Sequence, residues 1–138
     1  MKMKVKLDPG AYLPTRAHEN DGGLDLYAMK SVWIRPRSSE FFDTGVHVAI
    51  PKGYVGFVKS RSGLMMKHDV KTDGTIDSGY TGSIGVKLFN HGGGDLYIKA
   101  GERIAQLVIV PIITPELDLV NELEETDRGV GGFGSTGR

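Results

Sequence analysis

The sequence predicts an all-β fold, a sandwich or distorted barrel of the jelly-roll kind, on three observations. The chain has 138 residues, which is within the usual size of a single domain. Glycine accounts for 20 of them, about twice the usual share of roughly 7%. Short runs of β-branched and aromatic residues alternate with Gly, Pro and Asp, as in strands joined by tight turns. Segments this short and this regularly interrupted favour a sandwich or a closed barrel.

Seven segments are predicted to be strands, each rich in apolar or β-branched residues between turn signals. They cover residues 2–7, 24–28, 41–50, 54–59, 84–89, 95–98 and 103–113. A helical turn or two is expected after Ser62, through residues 64–66. Residues 104–110 are apolar on both faces except for Gln106, so this strand must be buried on both sides, in a core or against another subunit.

The composition excludes several classes of protein. Seventeen basic residues balance seventeen acidic ones, so no net charge draws the chain to nucleic acid or to an anionic membrane. The chain has no cysteine, which excludes a disulfide framework and a thiolate metal site. Neither the apolar core of a signal peptide nor a run approaching the ~20 apolar residues of a membrane span is present. These features predict a cytoplasmic protein with no nucleic-acid or membrane partner.

The segment 128–138, RGVGGFGSTGR, holds five glycines in eleven residues. Its G-x-G-x-x-G spacing formally matches a dinucleotide-binding fingerprint. That motif must open a helix between two strands, and the residues after these glycines show no helical pattern. Arg128 offers a guanidinium group to phosphate oxygens, Phe133 a flat ring, and Ser135 and Thr136 hydroxyl donors. Such a segment suits a mobile lid over a nucleoside triphosphate, with a floppy Gly/Ser tail as the alternative.

Two further segments carry residues suited to binding an anion or to catalysis. Arg61, Ser62 and Gly63 follow a predicted strand and open the short helix, where backbone N–H groups, a hydroxyl and a guanidinium can hold phosphate. An ordinary turn with an N-cap serine is the alternative. In GTIDSGYTG, Asp77 lies between an apolar pair and a turn, with Tyr80 three residues later. A turn-capping aspartate is the alternative there.

Five motifs, taken in order, resemble those of the trimeric dUTPases over nearly the full length of the chain. They are DGGLDLYA at 21–28, RSGL at 61–64, GTIDSGYTG at 74–82, GERIAQL at 101–107 and RGVGGFGSTG at 128–137. The resemblance implies a jelly-roll homotrimer that hydrolyses dUTP to dUMP and diphosphate with Mg²⁺, keeping uracil out of DNA and supplying dUMP for dTMP synthesis. It implies three shared sites, with the third motif from one subunit, the first, second and fourth from another, and the tail from the third. Residues 1–127 would form the β domain, and residues 128–138 a flexible arm that closes over the active site.

The resemblance assigns roles in catalysis to three residues. Asp77 corresponds to the general base that takes a proton from the water attacking the α-phosphorus, a role that suits a carboxylate. Tyr80 corresponds to the tyrosine that packs against the deoxyribose and leaves no room for a 2′-hydroxyl. Asp25 corresponds to a carboxylate near Mg²⁺ that acts through coordinated water, in keeping with the preference of Mg²⁺ for water and phosphate ligands.

The other assigned residues bind the substrate. The resemblance implies that the second motif and Gln106 hold the phosphate chain and the water, that Arg128 binds phosphate, and that Phe133 stacks over the uracil. The substrate-binding residues that it implies are Arg61, Ser62, Gly63, Gly74, Ile76, Tyr80, Gln106, Arg128, Phe133, Gly134, Ser135 and Thr136.

The sequence departs from the family at two places. The connection at 65–76 is shorter than in many members, and the hairpin predicted there, with its tip at 70–74, contains no asparagine. In the family this hairpin reads uracil through backbone hydrogen bonds, often with an asparagine nearby. The second departure is Gly22, which stands where alanine is usual.

Two alternatives to a dUTPase remain for comparison. In the related dCTP deaminases the catalytic glutamate falls at a position that aligns with Lys87, and a lysine cannot act as that carboxylate. The other alternative is a non-catalytic or regulatory jelly-roll protein. The presence of all the catalytic positions argues against it.

The four histidines lack metal-ligand spacing and are interpreted as turn or surface residues; they are His18, His47, His68 and His91.

Overall fold

The computed structural model describes residues 1–137, so Arg138, the last residue of the predicted arm, lies outside the described residues. The described part contains eleven strands and one helix. The elements are β1 (Lys4–Leu7), β2 (Gly23–Tyr27), β3 (Val32–Ile34), β4 (Ser38–Asp43), β5 (Val46–Ala49), β6 (Tyr54–Lys59), α1 (Ser62–His68), β7 (Val70–Lys71), β8 (Asp73–Asp77), β9 (Gly85–Asn90), β10 (Leu96–Ile98) and β11 (Arg103–Pro111).

The strands form four antiparallel sheets. A four-stranded sheet has the order β2-β11-β6-β8, and a three-stranded sheet has the order β4-β9-β7. Two-stranded ladders, β1-β5 and β3-β10, complete the fold. The predicted all-β jelly-roll class is thereby confirmed, since antiparallel strands from all four sheets enclose one core.

The core is made almost entirely of aliphatic side chains. In β9 burial alternates along the strand, with Val86 and Leu88 buried and Lys87 exposed, because successive side chains point to opposite faces. Burial of one face therefore determines the register of the strand. The largest fully buried side chains are Phe42, Leu26, Ile34, Ile84, Leu88, Ile98, Ile104, Leu107, Val46, Val58, Val70 and Val86.

The prediction of one strand at 41–50 is wrong. The segment forms parts of two strands, β4 and β5, which pair with different partners, β9 and β1. The Thr44 hydroxyl donates to the carbonyl of Ile84 (2.7 Å), and Gly45 has a positive φ of 67° with its N–H donated to Asp43 Oδ1 (2.9 Å). A positive φ ends the extended conformation at little cost for glycine. Because apolar residues lie on both sides of this turn, the run of residues does not reveal the break.

The remaining elements follow the prediction to within a few residues, except that β3, β7 and β8 are absent from the predicted strands. β6 has the predicted bounds, and α1 has seven residues, in agreement with a turn or two after Ser62. β3 was not predicted, because its three residues are too short a run to carry a strand signal. In the described part of the chain, no helix has the length and apolar character needed to cross a membrane.

The predicted hairpin tip at 70–74 is also wrong. β7 pairs with β9 in the three-stranded sheet, whereas β8 pairs with β6 in the four-stranded sheet, so the chain crosses from one sheet to the other. Val70 is buried in the core at the start of this crossing. Thr72, between the two strands, is buried, and its N–H donates to Ser60 Oγ (2.9 Å). Because β7 and β8 pair with different strands, residues 70–74 do not form the tip of a hairpin.

β11 is covered on one face and partly covered on the other. Leu107 is fully buried, whereas Val108 and Val110, which point to the opposite face, are half-buried. Residues 112–127 form no strand or helix after it. Four apolar side chains in that segment are at least 87% exposed: Ile113, Leu117, Leu119 and Leu123. This segment therefore leaves apolar side chains uncovered within one chain.

Candidate active site

Three charged side chains, Asp25, Arg61 and Arg103, form what we call the arginine cluster. The Asp25 side chain is 13% exposed, with Oδ1 3.4 Å from Arg61 Nε and Oδ2 3.6 Å from Arg103 Nε. The sheet brings these residues together, because Gln106 of β11 pairs with Asp25 on one side and with Lys59, at the end of β6, on the other. Two guanidinium groups around one carboxylate leave an excess positive charge, which suits a phosphate chain.

Tyr27 supports Arg103. The Tyr27 hydroxyl accepts a hydrogen bond from Arg103 Nε (3.4 Å) and lies 2.5 Å from the Thr15 hydroxyl. The hydrogen bond with Thr15, followed by that with Arg103, lowers the pKa of Tyr27. The hydrogen bond to Tyr27, with Asp25 nearby, raises the pKa of Arg103. From the sequence alone, Arg103 has no assigned role. Side chains alternate along β2, so Asp25 and Tyr27 lie on one face, and two such side chains could have indicated a basic partner there.

A shallow cavity of about 290 Å³ opens beside the arginine cluster. Gln106 Nε2 donates to the Ser60 carbonyl (3.0 Å), which orients the amide at the wall of the cavity. Gly23 lies against this amide, and a Cβ there would overlap Gln106 Oε1. The structure therefore brings four predicted site residues to one cavity, which is lined by Ala17, Asp21, Gly22, Gly23, Asp25, Arg61, Ser62 and Gln106.

The start of α1 differs from the N-cap serine alternative. Arg61, not Ser62, is the N-cap residue (φ −78°, ψ 134°), and no side chain in the described chain caps this helix. The first helical hydrogen bond runs from the Met65 N–H to the Arg61 carbonyl (3.0 Å), so the N–H groups of Ser62 and Gly63 have no helical acceptor. The Ser62 hydroxyl and these N–H groups can therefore bind an anion beside the cavity. Gly63 lies with Arg61 on an adjoining cavity.

Residues 77–83 follow β8 and form what we call the Tyr80 turn. The Tyr80 N–H donates to the Asp77 carbonyl (3.2 Å), and Gly79 supplies a positive φ of 90°. The Tyr80 hydroxyl donates to the Ser83 carbonyl (3.0 Å), so the ring folds back over its own turn and stays 46% exposed. The Asp77 carboxylate is exposed and has no hydrogen-bond or ion-pair partner within residues 1–137. The alternative that Asp77 is a turn-capping side chain is therefore wrong.

Gly74 and Ile76 lie on β8, the outer strand of the four-stranded sheet. The Ile76 side chain is buried in the core, so only its backbone can contact a substrate. An outer strand presents alternate N–H and C=O groups away from its neighbour, and these are the groups available for such contact.

The arginine cluster and the Tyr80 turn lie far apart in one chain. β6 pairs with β8 so that Lys59 faces Asp73 and Val55 faces Asp77. Four residues of strand separate the two ends, about 13 Å at roughly 3.3 Å per residue. Arg61 lies two residues beyond Lys59, which adds to the distance. Within one chain, Asp77 and Arg61 are therefore separated by about 13 Å of strand or more.

The arm residues lie outside both of these regions. Arg128 Nε donates to the Gly131 carbonyl (2.8 Å) within a local turn, and Gly134 has a positive φ of 77°. Phe133 is fully exposed, and Ser135 and Thr136 are exposed. The described part of the arm thus has no packing against the β domain to hold it in place.

The acidic residues of the cavity are suited to bind Mg²⁺ only when a substrate is bound as well. Within residues 1–137, no group of three or more His, Cys, Asp or Glu is arranged to hold a metal ion. Asp21 Oδ2 already accepts the His18 N–H (2.9 Å), and Asp25 is paired with two guanidinium groups. Mg²⁺ retains water and takes phosphate oxygens as ligands, so this limited donor set fits an ion that arrives with a nucleoside triphosphate.

A family model and two related proteins carry the name of the same enzyme. The family model for dUTPase matches residues 10–137. A deoxyuridine 5'-triphosphate nucleotidohydrolase of Gloeothece citriformis is 45% identical over 141 residues, covering 99% of this chain and 97% of that protein. The deoxyuridine 5'-triphosphate nucleotidohydrolase of Clostridium novyi is 41% identical over 141 residues, covering 99% of each.

Solved structures of bacteriophage enzymes share the fold. A dUTPase mutant of Staphylococcus bacteriophage 80alpha with dUpNHpp has a TM-score of 0.93 and 36% identity, covering 99% of each chain. A dUTPase mutant from phage phi11 of S. aureus, described with a structural Mg(II) ion, has a TM-score of 0.84 and 34% identity, covering 91% of this chain and 100% of that one. Because the family model and these relatives match nearly the whole length, the chain belongs to the dUTPase family.

Proposed function

We propose that this chain is a dUTP diphosphatase, which hydrolyses dUTP to dUMP and diphosphate in a site shared between three copies of the chain. The observation that carries this proposal is the presence of two groups in a chain of the dUTPase family. One is Asp77, exposed on the tyrosine turn and without a side-chain partner in residues 1–137, and the other is the separate arginine cluster. The relatives are named as deoxyuridine 5'-triphosphate nucleotidohydrolases, and the phage relative was solved with dUpNHpp, whose name describes an imido form of dUTP. The reaction would keep uracil out of DNA and supply dUMP for dTMP synthesis in the cytoplasm.

Asp77 is proposed as the general base. A base must reach a water molecule and have a lone pair that no other group occupies, and both conditions hold for this carboxylate among the described residues. It would accept a proton from the water as the oxygen attacks the α-phosphorus, and diphosphate would leave. Tyr80, three residues on and half-exposed, would pack against the deoxyribose.

The arginine cluster is proposed to bind the phosphate chain of the same substrate molecule. Arg61 and Arg103 share one carboxylate, so each guanidinium keeps N–H groups for phosphate oxygens. The Ser62 hydroxyl, the N–H groups of Ser62 and Gly63, and the Gln106 amide lie around the adjoining cavities. Gln106 is held on the paired strand β11, and Ser62 and Gly63 are held at the start of α1, which keeps the loss of conformational entropy on binding small.

Mg²⁺ is proposed to bind with the substrate. Asp25 would contact the ion through coordinated water, because a direct bond would compete with Arg61 and Arg103 for the same two oxygens. Asp21, on the same cavity, is the other acidic residue within reach. When bound, the ion would neutralise charge on the phosphate oxygens and help to orient the triphosphate.

A homotrimer is proposed because the site residues require neighbours. Asp77 of one copy and Arg61 of another can meet at a phosphate chain, whereas within one copy about 13 Å of strand and more separate them. The half-buried face of β11 and the exposed apolar residues of 112–127 supply surface for such contacts. Residues 1–127 would form the β domain of each subunit.

The arm, residues 128–138, is proposed to close over a site formed by the other two subunits. Arg128 would bind phosphate, and the exposed ring of Phe133 would stack over the uracil, with Gly134 allowing the backbone to turn beside it. Ser135 and Thr136 would donate hydrogen bonds. Uracil itself would be read by backbone groups of Gly74 and Ile76 on the outer edge of β8.

The test is the release of diphosphate from dUTP, dTTP, dCTP and UTP, measured side by side with Mg²⁺ present. We expect rapid hydrolysis of dUTP and very slow hydrolysis of the other three. Comparable rates with dUTP and dTTP would contradict the assignment of uracil recognition, and no hydrolysis of any of the four would contradict the proposed function.

A further inference from the structure

His47 of β5 lies between two hydrogen-bond acceptors. Its side chain is 22% exposed, with Nδ1 2.7 Å from the Thr81 carbonyl oxygen and Nε2 3.0 Å from Asp8 Oδ1. A carbonyl cannot donate, and an ionised carboxylate cannot either. A neutral imidazole has one N–H group and can satisfy only one of the two, whereas the imidazolium ion donates to both. The geometry therefore suits a protonated ring.

His47 connects the N-terminal segment to the Tyr80 turn. Thr81 directly follows Tyr80, so the hydrogen bond to its carbonyl holds the turn beside the ring that is proposed to contact the sugar. The other end of the turn is held by the Ser83 hydroxyl, which donates to Asp43 Oδ1. The Tyr80 hydroxyl in turn donates to the Ser83 carbonyl (3.0 Å). The position of the tyrosine thus depends on two attachments. A neutral His47 keeps one N–H group, and the charged Asp8 carboxylate holds that N–H more strongly than a neutral carbonyl does, so loss of the proton releases the Thr81 bond.

The groups around His47 come from β1 and the residue that follows it, from the end of β4, and from the Tyr80 turn. Lys4 and Lys6 lie on the neighbouring β1, and the charge of Lys6, directly opposite His47, opposes protonation. Asp8, after β1, and Asp43, at the end of β4, favour it. The turn contributes the neutral carbonyl of Thr81.

The balance of these groups favours the charged ring. The hydrogen bond to Thr81, followed by that to Asp8, raises the pKa of His47 above its ordinary value of 6.5. For a raised pKa of this kind, the contribution of the imidazolium is fully present below about 6.5 and is lost as the pH rises through the folded-state pKa.

We propose that His47 is a positioning residue whose imidazolium ion holds the Tyr80 turn and so sets how strictly the site rejects a ribose 2′-hydroxyl. This inference depends on the proposed function, in which Tyr80 packs against the deoxyribose. A turn that loses the Thr81 bond lets the ring move, and the space that excludes a 2′-hydroxyl is then less well defined. The ratio of kcat/KM for dUTP to that for UTP should therefore decrease as the pH rises through the pKa of His47.

The first experiment compares His47→Gln with the wild type and with the control His91→Gln, from about pH 6 to about pH 9 with both nucleotides. Glutamine has N–H donors on a single nitrogen atom and cannot carry charge. At low pH we expect the dUTP-to-UTP ratio of His47→Gln to be roughly three- to tenfold below that of the wild type, the range of one hydrogen bond. The wild-type ratio should approach that of the variant at high pH. His91 is exposed and stacks on Phe89, so its replacement should leave the wild-type profile unchanged.

The second experiment follows the wild type alone, by NMR, and does not depend on the stability of any variant. The His47 ring protons and the backbone amide of residue 82, which shares the peptide group of the Thr81 carbonyl, should titrate with one midpoint above 6.5. A His47 ring that titrates without a change at the turn would overturn the inference. So would a His47→Gln variant whose dUTP-to-UTP ratio follows the wild-type pH profile. Absence of dUTP hydrolysis by the wild type would overturn the proposed function instead.

Discussion

The arginine cluster and the Tyr80 turn occupy opposite ends of the β6-β8 pair, and they differ in how their charges are balanced. Asp25 is almost buried between Arg61 and Arg103, so the charges at that end are paired within one chain. Asp77, at the other end, is exposed and has no side-chain partner in residues 1–137. A cluster that is already paired can bind phosphate without rearrangement, whereas an isolated, exposed carboxylate keeps its lone pairs free to accept a proton.

The difference teaches that preorganisation and completeness are separate properties of this site. The cluster is held by the register of three strands, and the turn is held by its own backbone and by two attachments to other strands. Each region is held by contacts within its own chain. Neither contains all the groups that hydrolysis of a triphosphate requires, because a base and a phosphate-binding group must meet at the substrate.

The sharpest test of the comparison removes the carboxylate at the Tyr80 turn. Asp77→Asn should reduce dUTP turnover roughly 10²- to 10⁴-fold, the usual contribution of a positioned general base. Its melting temperature should not change, because the side chain has no partner to lose among the described residues. Asp73→Asn is a matched control on the same strand, since Asp73 is exposed and pairs only loosely with Lys59 (3.8 Å). Near-normal turnover of Asp77→Asn would mean that the base is another residue.

Mixing two inactive variants tests whether the two regions meet between chains. Coexpressed Asp77→Asn and Arg61→Ala chains would assemble at random, and every mixed trimer would contain one site with both groups intact. About a quarter of all sites should then be active in an equal mixture of a cyclic trimer. No recovery beyond the separate variants, or a fully active monomer in sedimentation, would contradict the shared site.

Deletion of the arm should have the next largest effect. A chain ending at residue 127 should keep its melting temperature and its trimer, because no arm residue belongs to the buried core. Its turnover of dUTP should decrease on the order of 10²-fold, the scale of losing substrate positioning. Phe133→Ala should reproduce part of this loss, and Val130→Ala, equally exposed, should not. A truncated chain that hydrolyses dUTP at the full rate would show that the arm is only a tail.

The smallest expected effect concerns the second attachment of the Tyr80 turn. The hydrogen bonds from Ser83, and then from the Gly45 N–H, lower the pKa of Asp43. For a lowered pKa, the stabilisation is present above the ordinary value of 3.8 and is lost as the pH falls through the folded-state pKa. Asp43→Asn should therefore lower the melting temperature slightly at neutral pH, and the difference from the wild type should shrink below about pH 4. A constant difference at every pH would mean that the charge of Asp43 contributes nothing.

The motifs identified most of the candidate residues because their chemistry is local. Arg61-Ser62-Gly63, the segment around Asp77, and the glycine-rich arm each bring several suitable groups together within a few residues of sequence. The same local patterns placed β6 and α1 correctly. By contrast, Ile76 was assigned to the substrate on its motif alone, and only the fold shows that its side chain is buried.

The sequence by itself determined the all-β class, the family and the identity of most residues that are proposed to act. Only the tertiary structure decided that 41–50 is two strands, that 70–74 crosses between sheets, and that Asp77 and Arg61 lie apart in one chain. It also decided the partners of residues that looked ordinary, such as His47 with Asp8 and Thr81. The physical reason is the range of the contacts. A turn or a motif is set by neighbouring residues, whereas a strand pairing or a buried ion pair depends on which distant segments the core brings together.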